Sequence, residues 1–124
     1  GFANGNPCYE YKDTVIFGDH TLSVYKPIRP FFIATDGVRI LQGRQHIDGL
    51  YLYSLLERYR PQSEGYKRYY NILSDKECQH TKNSDEQKQI GEYFRNLDNL
   101  ITLHQREVEH LKLLKKGMLQ KMFV

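Results

Sequence analysis

Residues 84–123 contain no proline and repeat one set of positions at a spacing of four, three, four, three: Ile90, Phe94, Leu97, Ile101, His104, Val108, Leu111, Lys115, Met118 and Met122. Side chains at that spacing stay on one face of an α-helix. Nearly six heptads is long for a helix that only covers its own small domain, and a 3.5-residue repeat selects coiled-coil packing over a lone surface helix. The segment predicts one helix of roughly 55 to 60 Å whose seam another helix must cover. It leaves about 80 residues in front, one small domain by the usual size range.

Details of the helix sharpen this expectation. His104 and Lys115 put polar groups into the seam, a device that sets register at some cost in stability. Leu100, Leu103, Leu114 and Leu119 lie off the seam, as in a bundle where more than one helix packs on the same rod. Acidic Asp85, Glu86 and Glu92 stand near its start, and Lys112, Lys115, Lys116 and Lys121 near its end. That polarity suits the helix dipole; it equally suits an antiparallel partner of the same sequence. Ser84, with Gln87 three residues on, predicts a capping box at the start.

Ahead of the helix the pattern is mixed. Residues 1–13 are rich in Gly, Asn and Pro and read as loop, with a short extended piece over 8–11. Strands are predicted over 14–17 and 21–25, joined by a turn at Gly18-Asp19. Pro27 and Pro30 frame a basic loop. The apolar run 31–34 reads as a central strand covered on both faces, and Asp36-Gly37 as a hairpin turn into a return strand over 38–41. Residues 43–46 make a polar loop. A helix is predicted over 47–59, with Asp48 as its N-cap, Leu52, Leu55, Leu56 and Tyr59 as its apolar stripe, and Pro61 as its stop. The aromatic and basic run 66–73 reads as a strand or the tail of a loop, and 74–83 as a linker or a short helical turn. The fold class expected is α/β (α+β): a small mixed head followed by one long coiled-coil-forming helix.

Charge bears on partners. The net formal charge is only +3. Between residues 21 and 70, however, eight basic residues (Lys26, Arg29, Arg39, Arg44, Arg58, Arg60, Lys67, Arg68) face four acidic ones (Asp36, Asp48, Glu57, Glu64). Arginine pairs with base edges and phosphates through its fork; a solvated protein surface uses the same residues. Ten tyrosines against six phenylalanines fit either a half-wet binding surface or a core with hydroxyls at its rim.

Catalytic patterns are missing from the sequence. It has no glycine-rich phosphate loop, no HExxH and no GxSxG. Asp19-His20 followed by Asp36 offers the residue types of a metal or acid–base cluster, but aspartate in a strand turn usually serves the turn itself. Cys78 and His80 lie in a polar linker without an orienting scaffold, and His104 and His110 stand on different helix faces. The two cysteines, Cys8 and Cys78, form no metal or redox motif, so free thiols in a reducing compartment are expected. No stretch approaches the apolar length of a membrane span, and no secretory signal opens the chain; cytoplasmic localisation follows as the expectation. Gly1 in place of methionine fits an internal residue of a longer protein or the remnant of a removed tag.

The segment EQKQIGEYFRNLDNLITLHQREVEHLKLLKKGMLQKMF, residues 86–123, resembles the C-terminal conserved region of specificity subunits of type I restriction-modification systems. The pieces Glu86-Gln87, Ile90-Gly91, Leu97-Asp98 and Lys115-Lys116-Gly117 through Met122-Phe123 carry the likeness. Upstream, VIFGDHTLSVYKPIRPFFIATDGVRIL, residues 15–41, is similar to the second half of a target-recognition domain of the same subunits. The helix containing Tyr51 and Leu52, and then residues 66–73, fit that domain's end. Where the family often has a proline before the Glu-Gln pair, this chain has Asn83-Ser84-Asp85. Such subunits usually have two recognition domains and two helical regions, whereas this sequence has the back of one domain and one helical region.

The resemblance implies a non-catalytic protein without a cofactor or metal site. Residues 1–80 would be a partial target-recognition domain for double-stranded DNA, and residues 84–123 an antiparallel coiled-coil and dimerisation arm. The implied partners are the methyltransferase (modification) subunit and the restriction and translocase subunit, and two-fold pairing of the chain with itself would restore the usual layout and a palindromic split target. Candidate DNA contacts are Arg29, Arg39, Arg44 and Arg68. Gln42 and Gln45 are candidates to read adenine, and Lys26, Lys67, Arg58 and Arg60 to hold phosphates. Tyr66, Tyr69 and Tyr70 would pack against sugar or hold a loop. The alternative is a coiled-coil scaffold or dimerisation module without DNA binding of its own.

Overall fold

A computed structural model describes residues 8–33, 37–44, 47–65 and 67–123. The protein is a small mixed α/β domain followed by one long C-terminal helix. A 3-10 turn at Tyr11–Asp13 leads into strand β1 (Thr14–Gly18); β2 (Val24–Tyr25) and β3 (Val38–Gln42) follow, then helices α1 (Gly49–Arg58), α2 (Tyr70–Ser74) and α3 (Ser84–Met122). Residues 1–92 gather into one compact unit and residues 93–124 into a second.

The sheet has three strands in the order β2-β1-β3, both pairings antiparallel. Its middle strand is β1, not the predicted run 31–34. Phe31 makes only an isolated bridge with Cys8, and Phe32 is 49% exposed. An apolar run alone did not decide a central strand, because it cannot say which backbone will sit beside it. The return strand was likewise expected to pair with 31–34. It is present as β3 but aligns with β1, from Thr14 opposite Gln42 to Gly18 opposite Val38; Ala34 and Asp36 of the expected hairpin lie outside the described residues. The strand expected over 21–25 shrinks to Val24–Tyr25, because the turn continues through Thr21 and Leu22 takes a positive φ of 61°.

Alternation along the strands gives the sheet two faces. Val15 and Phe17 are fully buried on one. There Phe17, Tyr69 and Leu73 form the core, with Leu22, Val24, Leu41, Leu56, Tyr70 and Ile72 packed around them. On the other face the register lines up Tyr25, Ile16 and Ile40 across the three strands, and Tyr25 and Ile40 are exposed.

Helix α1 forms as expected. The Asp48 carboxylate accepts the Tyr51 N–H at 3.1 Å, an N-cap worth about 1 kcal/mol. Its predicted stripe is half-buried, and its buried members are Gly49 and Tyr51. The second half of the run 66–73 lies in the short helix Tyr70–Ser74 where a strand or the tail of a loop was expected. The start of α3 differs too. Asn83, not Ser84, caps it: its Oδ1 accepts the Glu86 N–H at 3.0 Å, while the Thr81 hydroxyl accepts the Asn83 N–H at 3.2 Å and donates to the Glu86 carboxylate at 2.6 Å. Gln87 is therefore free of capping. It is 4% exposed, takes the Asp48 N–H on its side-chain oxygen and donates to the Thr81 carbonyl, both at 3.0 Å.

One turn further along α3, Gly91 meets α1. A Cβ there would stand 2.8 Å from Leu50 Cβ and 2.9 Å from the Tyr51 nitrogen. Tyrosine hydroxyls fasten the intervening segment: Tyr51 accepts the Thr81 N–H at 3.0 Å and Tyr59 the Gln79 N–H at 3.3 Å. These tyrosines act as core rings with hydroxyls at the rim, one of the two uses expected of them.

Candidate nucleic-acid interface

A buried carboxylate in the β1–β2 turn organises the basic side chains. Asp19 is 1% exposed and joins three segments distant in sequence. Its N–H donates to the Gly37 carbonyl at 2.9 Å, and its own carbonyl accepts the Tyr69 N–H at 2.8 Å. Its carboxylate oxygen Oδ1 accepts the Tyr70 N–H at 2.9 Å. A buried acceptor that holds a backbone donor removes the desolvation cost of both. The result seats the 67–70 segment against the first residues of β3.

That seating places a cation over each of two consecutive tyrosine rings. The Arg39 guanidinium lies 4.8 Å over the ring of Tyr70, and the Lys67 ammonium 5.6 Å over the ring of Tyr69. Arg68, exposed, follows Lys67 directly in sequence. His20 approaches the Lys67 carbonyl through Nδ1 at 3.3 Å. Tyr69 cannot swing away, because it is 1% exposed and its hydroxyl accepts the Glu64 N–H at 2.7 Å and donates to the Gly65 carbonyl. Lys67 is ion-paired with Glu64, and its hydrogen bond and then its charge hold the Glu64 carboxyl below the usual carboxylate value. A planar cation held over an aromatic face presents its N–H edge outward, the orientation that pairs with phosphate.

The other candidates are spread over the domain. Lys26 spends its ammonium on the carbonyls of Tyr11 at 2.7 Å and Pro27 at 3.2 Å. The Gln42 amide donates to Glu10 and to the Thr14 hydroxyl, each at 3.0 Å; reading a base would mean giving up those bonds. Arg29 is exposed between its two prolines, and Arg44 is exposed just after β3. Arg58, stacked 5.2 Å over the Tyr59 ring, and Arg60 are exposed at the C-terminal end of α1. Gln45 and Tyr66 lie outside the described residues. Sequence reasoning treated Asp19 as a turn residue only and missed its organising part. Nothing local marks it, since the amide it holds lies 51 positions away.

On α3 the seam is bare. Ile90 is half-buried, but Phe94, Leu97, Ile101, His104, Val108, Leu111, Lys115, Met118 and Met122 are all exposed. His104 sits 3.3 Å from Glu107, and Lys112 3.4 Å from Glu109; these are exposed pairs of little energetic weight. Among the described residues no three His, Cys, Asp or Glu side chains come together in a way that could hold a metal, and no helix is long and apolar enough to cross a membrane. Cys8 and Cys78 are free thiols, and burial pushes the Cys78 thiol up from its ordinary value. No protein-family model matches this chain, and neither a curated protein nor a solved structure matches it.

Proposed function

We propose that this chain is the C-terminal part of a specificity subunit of a type I restriction-modification system. In this reading residues 1–80 are the back of a target-recognition domain that contacts duplex DNA, and residues 84–123 pair with another helix as an antiparallel coiled coil. The chain is non-catalytic and cytoplasmic; it holds the methyltransferase and restriction subunits at a DNA site. The observation that carries the reading is the bare seam. Seven large apolar side chains of the seam, Phe94, Leu97, Ile101, Val108, Leu111, Met118 and Met122, are exposed on one helix, more apolar surface than an unpartnered protein usually leaves in water. The sequence likeness of residues 86–123 names the kind of assembly, and the basic group around Asp19 supplies a DNA-facing charge.

The reading is tested by light scattering over a range of protein concentrations, together with binding to random duplex DNA at increasing salt. A dimer that binds duplex, and weakens steeply as salt rises, is the expected result. A well-behaved monomer at every concentration overturns the pairing. A dimer without duplex affinity replaces the DNA reader with the scaffold alternative, which the internal bonds of Lys26 and Gln42 favour.

A further inference from the structure

Resting on that reading, we infer that Arg39 and Lys67 form one composite contact for a DNA backbone phosphate, that Asp19 positions it, and that the Glu64 carboxylate occupies it when DNA is absent. The two cations come from segments that Asp19 bridges, holding Gly37 at the start of β3 on one side and Tyr69 and Tyr70 on the other. Each cation is backed by one ring of a consecutive tyrosine pair. Of the two, Lys67 already holds an anion, the Glu64 carboxylate, whose side chain is 65% exposed and can be displaced without unpacking anything. A phosphodiester presents anionic oxygens that accept from the same donors. Phosphate contacts of this kind position a reader without sequence preference.

The predicted behaviour differs from that of a generic basic surface. Binding of the full chain to a fluorescein-labelled random duplex is followed by anisotropy between about 50 and 200 mM salt. Arg39→Gln and Lys67→Gln should each flatten the slope of log affinity against log salt by about 0.9 and weaken binding by about tenfold at the low-salt end. Glu64→Gln should tighten binding by about two- to fivefold, the weight of an exposed ion pair. It should do nothing in the Lys67→Gln background, whereas an effect of net charge alone would persist there. Asp19→Ala should lose binding as the two cation variants do. Asp19→Asn, which keeps an oxygen to accept the Tyr70 N–H, should restore it.

Duplex binding by the native chain with slopes unmoved in Arg39→Gln and Lys67→Gln, or a Glu64→Gln gain that survives the loss of Lys67, overturns the inference and leaves the broader reading standing. A native chain that does not bind duplex at all overturns both. Should Asp19→Ala fail to fold by circular dichroism, the variants Arg39→Gln, Lys67→Gln and Glu64→Gln still decide the contact, and Asp19→Asn decides the positioning.

Discussion

Leu22 holds a left-handed backbone conformation, φ 61°, that costs a non-glycine residue roughly 1–2 kcal/mol. It is retained because its N–H bonds the Gly18 carbonyl at 3.0 Å and its side chain packs on the Phe17 cluster. The strain lies in the turn that aims Asp19 inward. Removing the Asp19 carboxylate leaves the Tyr70 N–H without its acceptor. Asp19→Ala should therefore lower stability in urea by about 1.5–3 kcal/mol, with Asp19→Asn recovering most of it. Glu64 offers a second measurement. Its carboxyl is held low by Lys67, so the pair's contribution is full above the ordinary carboxylate range and is lost as pH falls through the lowered value. Lys67→Gln should return the Glu64 titration, followed by NMR, upward to the ordinary value; an unmoved titration would mean that the pair does not form in solution.

Among the elements, the first turns of α3 are the most constrained. Gln87 and Gly91 are the helix's buried residues: one bridges the Asp48 N–H at the start of α1 and the Thr81 carbonyl, and the other lets the backbones approach. A methyl group at Gly91 would press on Leu50 and on the α1 backbone, so Gly91→Ala should cost about 1–3 kcal/mol despite the better helix propensity of alanine. Gly117, where nothing lies within 4 Å, is the control: alanine there should be neutral or stabilising by up to about 1 kcal/mol. Equal responses at the two glycines, measured by thermal melting, would contradict the close approach. The sheet is constrained differently. Its buried face is sealed by α1 and α2, whereas Tyr25, Ile16 and Ile40 make an apolar row across the opposite face.

For the molecule as a whole, the pairing proposed above rests on the exposed apolar side chains of α3. A helix with so much apolar surface is held less by propensity than by what it packs against. Leu111, 61% exposed, lies in the middle of the seam. Leu111→Lys should dissociate any dimer, halving the mass by light scattering while leaving the melting of residues 1–92 unchanged; an unaltered mass would count against pairing through the helix.

Residues 84–123 could be read from the chain because a helix's own hydrogen bonds are local and its face is written in a spacing of three and four. Helix α1 and its Asp48 cap were legible for the same reason. β1 was legible as a strand, but its central place was not, since the choice of neighbour depends on how distant segments pack together. The same limit hid Asp19, whose acceptor oxygens find their donors only after Tyr69 and Tyr70 fold back across the turn. It also hid the cap of α3, where Asn83, held by Thr81, takes the role expected of Ser84, while Gln87 bonds the Asp48 N–H of α1. Periodicity and local bonding follow from the order of residues alone. Which strand lies in the middle, which charges meet and which polar groups are buried were decided by the tertiary fold, because burial and long-range hydrogen bonds are properties of segments brought together.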